Sequence, residues 1–334
     1  HVQVDLYEKL PVPYGLVRYG VAPDHPKLKS ASKTFDRIAR MPGFRFFGNV
    51  ALGQDLDLAT LRDYYRAVVV ACGTPESQLP GIAGESLPGS HGAAEFVAWY
   101  NGHPEFQDCQ FNLQHQHAVV IGNGNVALDV ARVLLRPVDE LRVTDIATAA
   151  LEQLRDSQVT DVHIVGRRGI LDAKFASKEL REMGQLTDCA TIVDPQDLPD
   201  PASIGEQITE SREKKSILKA FTEFSQANRN QSRRCHFHFA RSPHAVVGEG
   251  AVQSIELECN DLHGAPGQTR AQATGRLESI DCGLVLYSIG YRGVPIQALP
   301  YEPKLGLVPN EAGRVLVDGL VVPGLYVSGW IKRG

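Results

Sequence analysis

One stretch limits what this chain can fold into more than any other: HAVVIGNGNVALDVAR, residues 117–132. A short apolar run, residues 118–121, stops at Gly122-Asn123-Gly124, and the helix-compatible residues 126–132 follow. A strand, a glycine turn and a helix in that order form a dinucleotide-binding unit. Gly122 permits the tight turn, Gly124 lets a pyrophosphate come close to the backbone, and Ala127 is the third small residue, which lets the helix pack on the strand. The helix N-terminus adds free N–H groups and positive potential for the phosphates. Alone, the GxGxxA pattern also fits a chance glycine turn. The strand before it and the helix after it decide for the nucleotide.

Residues 159–165 read as a second strand of the same unit and run into Gly166-Arg167-Arg168-Gly169. An NAD-preferring fold ends that strand with Asp or Glu, which accepts the ribose 2′-hydroxyl. Paired guanidiniums instead make charge-assisted, forked bonds to the 2′-phosphate of NADP. NADP is therefore expected, with a solvent-exposed basic turn as the open alternative. The spacing from Gly122 exceeds the usual twenty or so residues, because residues 136–158 add a helical excursion.

The chain before this unit reads as part of another. Residues 2–7 alternate as a strand does, with Glu8 at the end. A carboxylate at the tip of the second strand of a dinucleotide fold holds the adenosine ribose; a solvated strand-end Glu accounts for Glu8 equally simply. Residues 10–29, LPVPYGLVRYGVAPDHPKLK, are too rich in Pro and Gly for a long helix and describe a shaped loop. His25, stiffened between Asp24 and Pro26, suits a positioned proton-handling group or an ordinary histidine in a proline turn. Residues 30–40 and 56–65 suit helices, 44–50 a strand, 67–71 a buried parallel strand, and 78–92 a linker.

Residues 177–183 and 203–225 suit helices. The longer one carries Arg212, Lys214, Lys215 and Lys219, which form either a solvated face or a docking site for an acidic partner. Residues 235–241 alternate as a strand, so His236 and His238 share a face; without further ligands they read as structural, and no metal site is expected. Trp330, beside Gly329 at a strand's end, either stacks on a flat ring or packs in the core.

At 334 residues the chain suffices for two domains. A net charge of −5 argues against a general nucleic-acid binder. The 6 cysteines are scattered with no CxxC, so neither a zinc framework nor a dithiol redox motif is expected. No apolar stretch approaches membrane-spanning length, and no transmembrane protein is expected. The chain opens directly into a strand-like run and stops as abruptly, as expected of a fragment of a longer protein or a processed chain.

Several stretches together resemble the adrenodoxin reductase family and its FprA-like bacterial NADPH–ferredoxin reductases: YEKLPVPYGLVRYGVAPDHPKLK (7–29), FFGNV (46–50), VIGNGNVALDVAR (120–132), TDI (144–146), VGRRG (165–169), ELREM (179–183), SIGYRGVPI (288–296) and LYVSGWIKRG (325–334). The resemblance implies an α/β fold with two Rossmann-like dinucleotide-binding domains. The NADP domain, 79–290, would be inserted within an incomplete FAD domain, 1–78 and 291–334. Electrons would pass from NADPH through FAD to a ferredoxin- or adrenodoxin-type iron–sulfur protein. Glu8 would hold the FAD ribose, Leu16 and Val50 would line the flavin site, and Trp330 would lie at the flavin–nicotinamide junction. Asn123, Asn125, Arg167, Arg168 and Glu179 would contact NADP, and His25 and Asp129 would be the paired active-site groups. A monomer is expected, in a bacterial cytoplasm or, for a eukaryotic source, a mitochondrial matrix.

The chain departs from the family at three places. The N-terminal GxGPAG-type loop and the PTGVI-like continuation after Gly334 are missing, and Ile170-Leu171-Asp172 stands where the family has Pro-Leu-Gln. A carboxylate added there is expected to weaken or re-aim NADP binding. The alternative function is a non-catalytic NADP-binding or degenerate fragment. Lack of CxxC and of cysteine clusters disfavours a thioredoxin reductase and a glutamate-synthase-type small subunit.

Overall fold

Residue periodicity decides which faces of the sheets are buried. In the computed structural model, which describes residues 2–200, 202, 204 and 211–333, the chain divides into two compact units. One comprises the residues up to Val21, His25–Gln78 and those from Gly290 onward; the other comprises Ala22–Asp24 and Leu79–Ile289.

The second unit is built on a parallel sheet of six strands, in the order Ser90–Gly92, Leu284–Tyr287, His117–Ile121, Asp161–Val165, Arg233–His238 and Cys189–Val193. Successive side chains point to opposite faces. Ala118, Val120, Val162 and Ile164 therefore join one core, and Val119, Ile121 and Val165 another. Helices Ala93–Tyr100, Asn125–Leu135, Ser177–Met183 and Arg212–Ser225 cover the first face with Phe96, Leu128, Leu180 and Phe221. An antiparallel sheet of Arg241–Val247, Ser254–His263 and Arg270–Asp281 covers the second with Val246, Ile255 and Leu257. Cover on both faces is why the central strands are almost continuously apolar.

Arg212–Ser225 starts at Ser211, whose side chain accepts the Lys214 N–H, and it buries Ile217, Ala220, Phe221 and Phe224 at helical spacing. The start expected for this helix, residues 203 and 205–210, lies outside the described residues. The expected linker 78–92 is only partly one, because Ser90–Gly92 pairs with Leu284–Tyr287 as the sheet's edge strand. Its Gly and Pro content marks turns but does not exclude three paired residues. Among the described residues, no helix is long and apolar enough to cross a membrane.

In the first unit Val4–Glu8 pairs in parallel with Phe44–Gly48, with Glu8 opposite Gly48. Helix Ser32–Ala39 between them turns Phe35 and Ile38 into an apolar groove shared with Leu6 and Phe46. A second sheet runs Asn310–Glu311, Arg314–Val317, Leu320–Val327 and Val68–Val70, around a core of Leu58, Val70, Val315, Leu325, Val327 and Ile331. Val68–Val70 was expected to be buried, yet Val69 is 60% exposed. Its strand is the sheet's edge, and an apolar run does not say how many of its faces will be covered. Where the chain leaves and re-enters this unit, Glu76–Ser77 pairs with Tyr291–Arg292.

Candidate functional site

The two glycines of the turn are needed for different reasons. Gly122 has φ +139°, and a Cβ there would fall 2.1 Å from the Ser288 carbonyl oxygen, so the fold itself requires glycine. Gly124 is extended, and a Cβ there would meet nothing within 4 Å. Its missing side chain leaves open space at the start of helix Asn125–Leu135, which has no acidic residue in its first turn to offset the helix dipole. Ala127, fully buried, takes the close-packing position.

Asn123 and Asn125 flank this opening. Asn125 Oδ1 accepts the Ala176 N–H at 2.7 Å, which directs the amide nitrogen away as a donor. The Asn123 side chain lies against Gly166, where a Cβ would fall 1.5 Å from its Nδ2. Asn123 Oδ1 is buried and has no hydrogen-bond partner among the described residues. An acceptor left this way calls for a donor from a ligand or water.

Arg167 and Arg168 follow strand Asp161–Val165 after Gly166, and Arg167 is exposed. Their backbone is fixed by the covering sheet: Asn260 Nδ2 donates to Arg167 O at 3.2 Å, Ala240 N to Arg168 O at 3.2 Å, and Arg241 N to Gly166 O at 3.0 Å. The Asp172 side chain is 2% exposed and turns to Thr269, whose N–H and hydroxyl donate to its two oxygens at 2.9 and 2.8 Å.

Asp129 and Glu179 meet at a residue that sequence reasoning did not single out. Arg132 is fully buried. It donates to Asp129 at 2.7 Å and to both oxygens of Asp24, and lies 3.7 Å from Glu179. Arg136 adds a second cation 3.2 Å from Asp24. Burial acts against the charge of Arg132, but Asp24 and Asp129 outweigh it and hold its pKa above the ordinary value. A signal was present: Arg132 sits one turn after Asp129 in an otherwise apolar helix stripe, where a charge needs a partner.

On the opposite face of the sheet, strand register brings His117, His163, His236 and His238 into a stack. His163 is hydrogen-bonded through one ring nitrogen to His117 at 3.0 Å and through the other to His238 at 2.9 Å, and it stacks on His236 with centroids 4.6 Å apart. A neutral imidazole has one N–H, so His163 donates to one neighbour and accepts from the other. Burial pushes the pKa of His163 down to about 2 and that of His238 to about 4, with neighbouring imidazoles adding to both shifts. His236 bonds Asp161 at 2.8 Å. Burial opposes ionisation of Asp161, yet the forked Arg234 and the bonds from His236 and Thr160 hold its carboxyl well below the usual range.

Glu8, Leu16, His25, Val50 and Trp330 belong to the first unit. Glu8 stands at the tip of its strand; its Oε1 accepts the Leu10 N–H at 3.1 Å, and its carbonyl accepts the Val50 N–H at 3.0 Å. These bonds bring Glu8 and Val50 together at the carboxyl end of the parallel pair, where ligands bind in such sheets. Leu16 is 64% exposed on helix Gly15–Tyr19. His25 is buried and caps helix Pro26–Lys29, its carbonyl accepting the Leu28 and Lys29 N–H groups. Trp330 is 49% exposed and meets Tyr291 edge-on at 5.9 Å.

No protein-family model matches the chain. Whole-chain comparison does. Over 345 residues the chain is 46% identical to the mitochondrial NADPH:adrenodoxin oxidoreductase of Mus musculus, covering 100% of this chain and 69% of that protein. It is 44% identical over 337 residues to the NADPH-ferredoxin reductase FprA of Mycobacterium tuberculosis, covering 99% and 72%. The solved structure of Mycobacterium tuberculosis FprA in complex with NADPH superposes with a TM-score of 0.94 at 45% identity, over 99% of this chain and 72% of that one.

Proposed function

The chain belongs to the family of NADPH:adrenodoxin oxidoreductases and FprA-type NADPH–ferredoxin reductases, and from that premise we infer that it passes electrons from NADPH through FAD to a small iron–sulfur protein. One observation carries the reading: a glycine loop opening on a helix N-terminus lies in the same parallel sheet as the strand leading to two arginines. A pyrophosphate fits the open space at Gly124, the buried Asn123 Oδ1 awaits a donor, and the guanidiniums of Arg167 and Arg168 suit a 2′-phosphate. We assign NADP to residues 79–290 on these grounds.

We assign FAD to residues 1–78 and 291–334. Glu8 would accept from ribose hydroxyls, Leu16 and Val50 would exclude water from the flavin, and the half-exposed Trp330 would stack near the ring. A bound FAD would supply the change from two-electron hydride transfer to single-electron transfer, chemistry that no side chain of the chain supplies. Asp129, oriented by Arg132, and His25, on its stiffened turn, are each assigned to proton handling. The exposed Arg212, Lys215 and Lys219 of helix Arg212–Ser225, with Arg181 beside them, suit an acidic iron–sulfur partner steered by charge.

Replacing both Arg167 and Arg168 with Ala tests the assignment. NADPH should bind about 10- to 100-fold more weakly and NADH nearly unchanged. Equal weakening of both would sink the 2′-phosphate site. Visible flavin absorbance in the purified protein is the companion measurement. A colourless protein that binds NADP would favour a non-catalytic NADP-binding chain.

A further inference from the structure

Asp172 sits four residues after Arg168, on the short 3-10 turn Ile170–Asp172. A carboxylate here would ordinarily compete with a phosphate for the arginines. Its surroundings point elsewhere. The side chain is 2% exposed, and each oxygen already accepts a hydrogen bond from Thr269, one from the N–H at 2.9 Å and one from the hydroxyl at 2.8 Å. Thr269 is itself 8% exposed. The nearest Arg168 nitrogen stands 3.9 Å from Asp172 Oδ1, outside hydrogen-bond range, and the Arg168 side chain stays 37% exposed. The guanidinium is thus drawn toward the loop by charge, while its forked donors are not consumed.

Thr269 comes just before strand Arg270–Asp281, at the tip of a long antiparallel arm with Ser254–His263. Asn260 on the same arm donates to the Arg167 carbonyl. Leu262 packs so closely on Gly169 that a Cβ there would lie 3.2 Å from its Cδ1. A Cβ at Gly267 would lie 3.4 Å from the Leu171 carbonyl oxygen. The arm therefore bonds the arginine loop at Arg167 and Asp172 and lies close to it at Gly169 and Leu171. The Asp172–Thr269 pair is the only one of these that also carries charge to Arg168.

We propose that Asp172 and Thr269 form a latch, with Asp172 a positioning residue that sets Arg168 for a 2′-phosphate, so that preference for the phosphorylated dinucleotide depends on the β-arm. This rests on the NADP reading of the arginines. It differs from simple electrostatic competition in sign: removing the carboxylate should harm phosphate recognition instead of improving it.

The test is calorimetric binding of 2′,5′-ADP and 5′-AMP, which differ by the 2′-phosphate, to the complete protein. Asp172→Ala should weaken 2′,5′-ADP about five- to tenfold and leave 5′-AMP unchanged. Asp172→Asn keeps an acceptor for the Thr269 N–H but loses the charge that draws Arg168, so it should weaken 2′,5′-ADP by about threefold, less than Asp172→Ala. Thr269→Val removes only the hydroxyl donor and should cost about threefold; it also serves if Asp172→Ala does not fold. Unchanged or tighter 2′,5′-ADP binding in Asp172→Ala, or, where that variant does not fold, in Thr269→Val, overturns the latch. So does an equal loss for both nucleotides, which would mean a purely structural role. Arg168→Ala separates the two readings. If it leaves 2′,5′-ADP unaffected, the arginine site itself is wrong; if it weakens 2′,5′-ADP while Asp172→Ala and Thr269→Val do not, only the latch fails.

Discussion

Arg132 and His163 lie in the same unit, each at most 8% exposed, yet their surroundings keep them in opposite electrical states. Arg132, on the helix face of the sheet, is ringed by Asp24, Asp129 and Glu179 and remains a cation. His163, on the other face, has imidazoles on three sides and remains neutral. Opposite charges can occupy low-dielectric space together only when they are paired, whereas like groups can do so only when uncharged. The first cluster should therefore be indifferent to pH and intolerant of losing a member. The second should tolerate substitution and be sensitive to acid.

The largest effect expected from this contrast is the loss of Arg132. Arg132→Met removes the cation shared by Asp24, Asp129 and Glu179, leaving Asp24 to Arg136, and should cost about 3–5 kcal/mol of unfolding free energy, read from urea denaturation. A loss below about 1 kcal/mol would mean that the cluster is hydrated and not buried. Asp129→Asn should cost less, since Asp24 still pairs with Arg132. It should slow turnover while flavin content and NADP affinity persist, and so should His25→Gln. Unchanged turnover in both variants would remove that pair from proton handling.

Next comes acidification. The folded-state pKa values of His163 and His238, about 2 and about 4, lie below the ordinary 6.5. The unfolded chain therefore binds protons first as pH falls. The stabilisation is fully present above about pH 6.5 and is lost steadily below it, until the folded values are reached. Between pH 6.5 and 5, His163 alone accounts for about 2 kcal/mol. Thermal unfolding followed from pH 7 to 5 should show this decline, and His163→Leu should flatten it. A parent protein equally stable at both pH values would refute the neutral stack. Asp161 works in the same direction at lower pH, since its depressed pKa supplies stability above the usual carboxylate range that is lost as pH falls further.

The smallest effect on stability lies at the surface. Lys215→Glu with Lys219→Glu should change unfolding free energy by no more than about 0.5 kcal/mol, because both side chains are exposed. The same pair should raise KM for the iron–sulfur partner at low ionic strength, an effect that fades as salt screens the charges. No change in KM at low salt would remove this helix as the docking face.

Much of the fold was legible because it rests on local rules. The glycine turn at 122–124 announces itself through residues that few other structures require in that order, and helix Ser177–Met183 follows from its residues alone. The Val68–Val70 strand was legible as a strand but not as an edge, since pairing partners far along the chain decide exposure. Strand Cys189–Val193 gave no distinct signal beforehand; it is defined by pairing with Arg233–His238, some forty residues on.

The sequence by itself determined the dinucleotide loop, the two arginines and the family likeness, because each depends on residues adjacent in the chain or spaced by a single strand–turn–helix. Only the tertiary structure decided what Arg132, Asp172 and His163 do. Arg132 gains Asp24 from 108 residues away, Asp172 gains Thr269 from 97, and His163 gains His238 from 75. A buried polar group is defined by its partners, and partners at such separations are chosen by sheet register and packing, which no local pattern encodes.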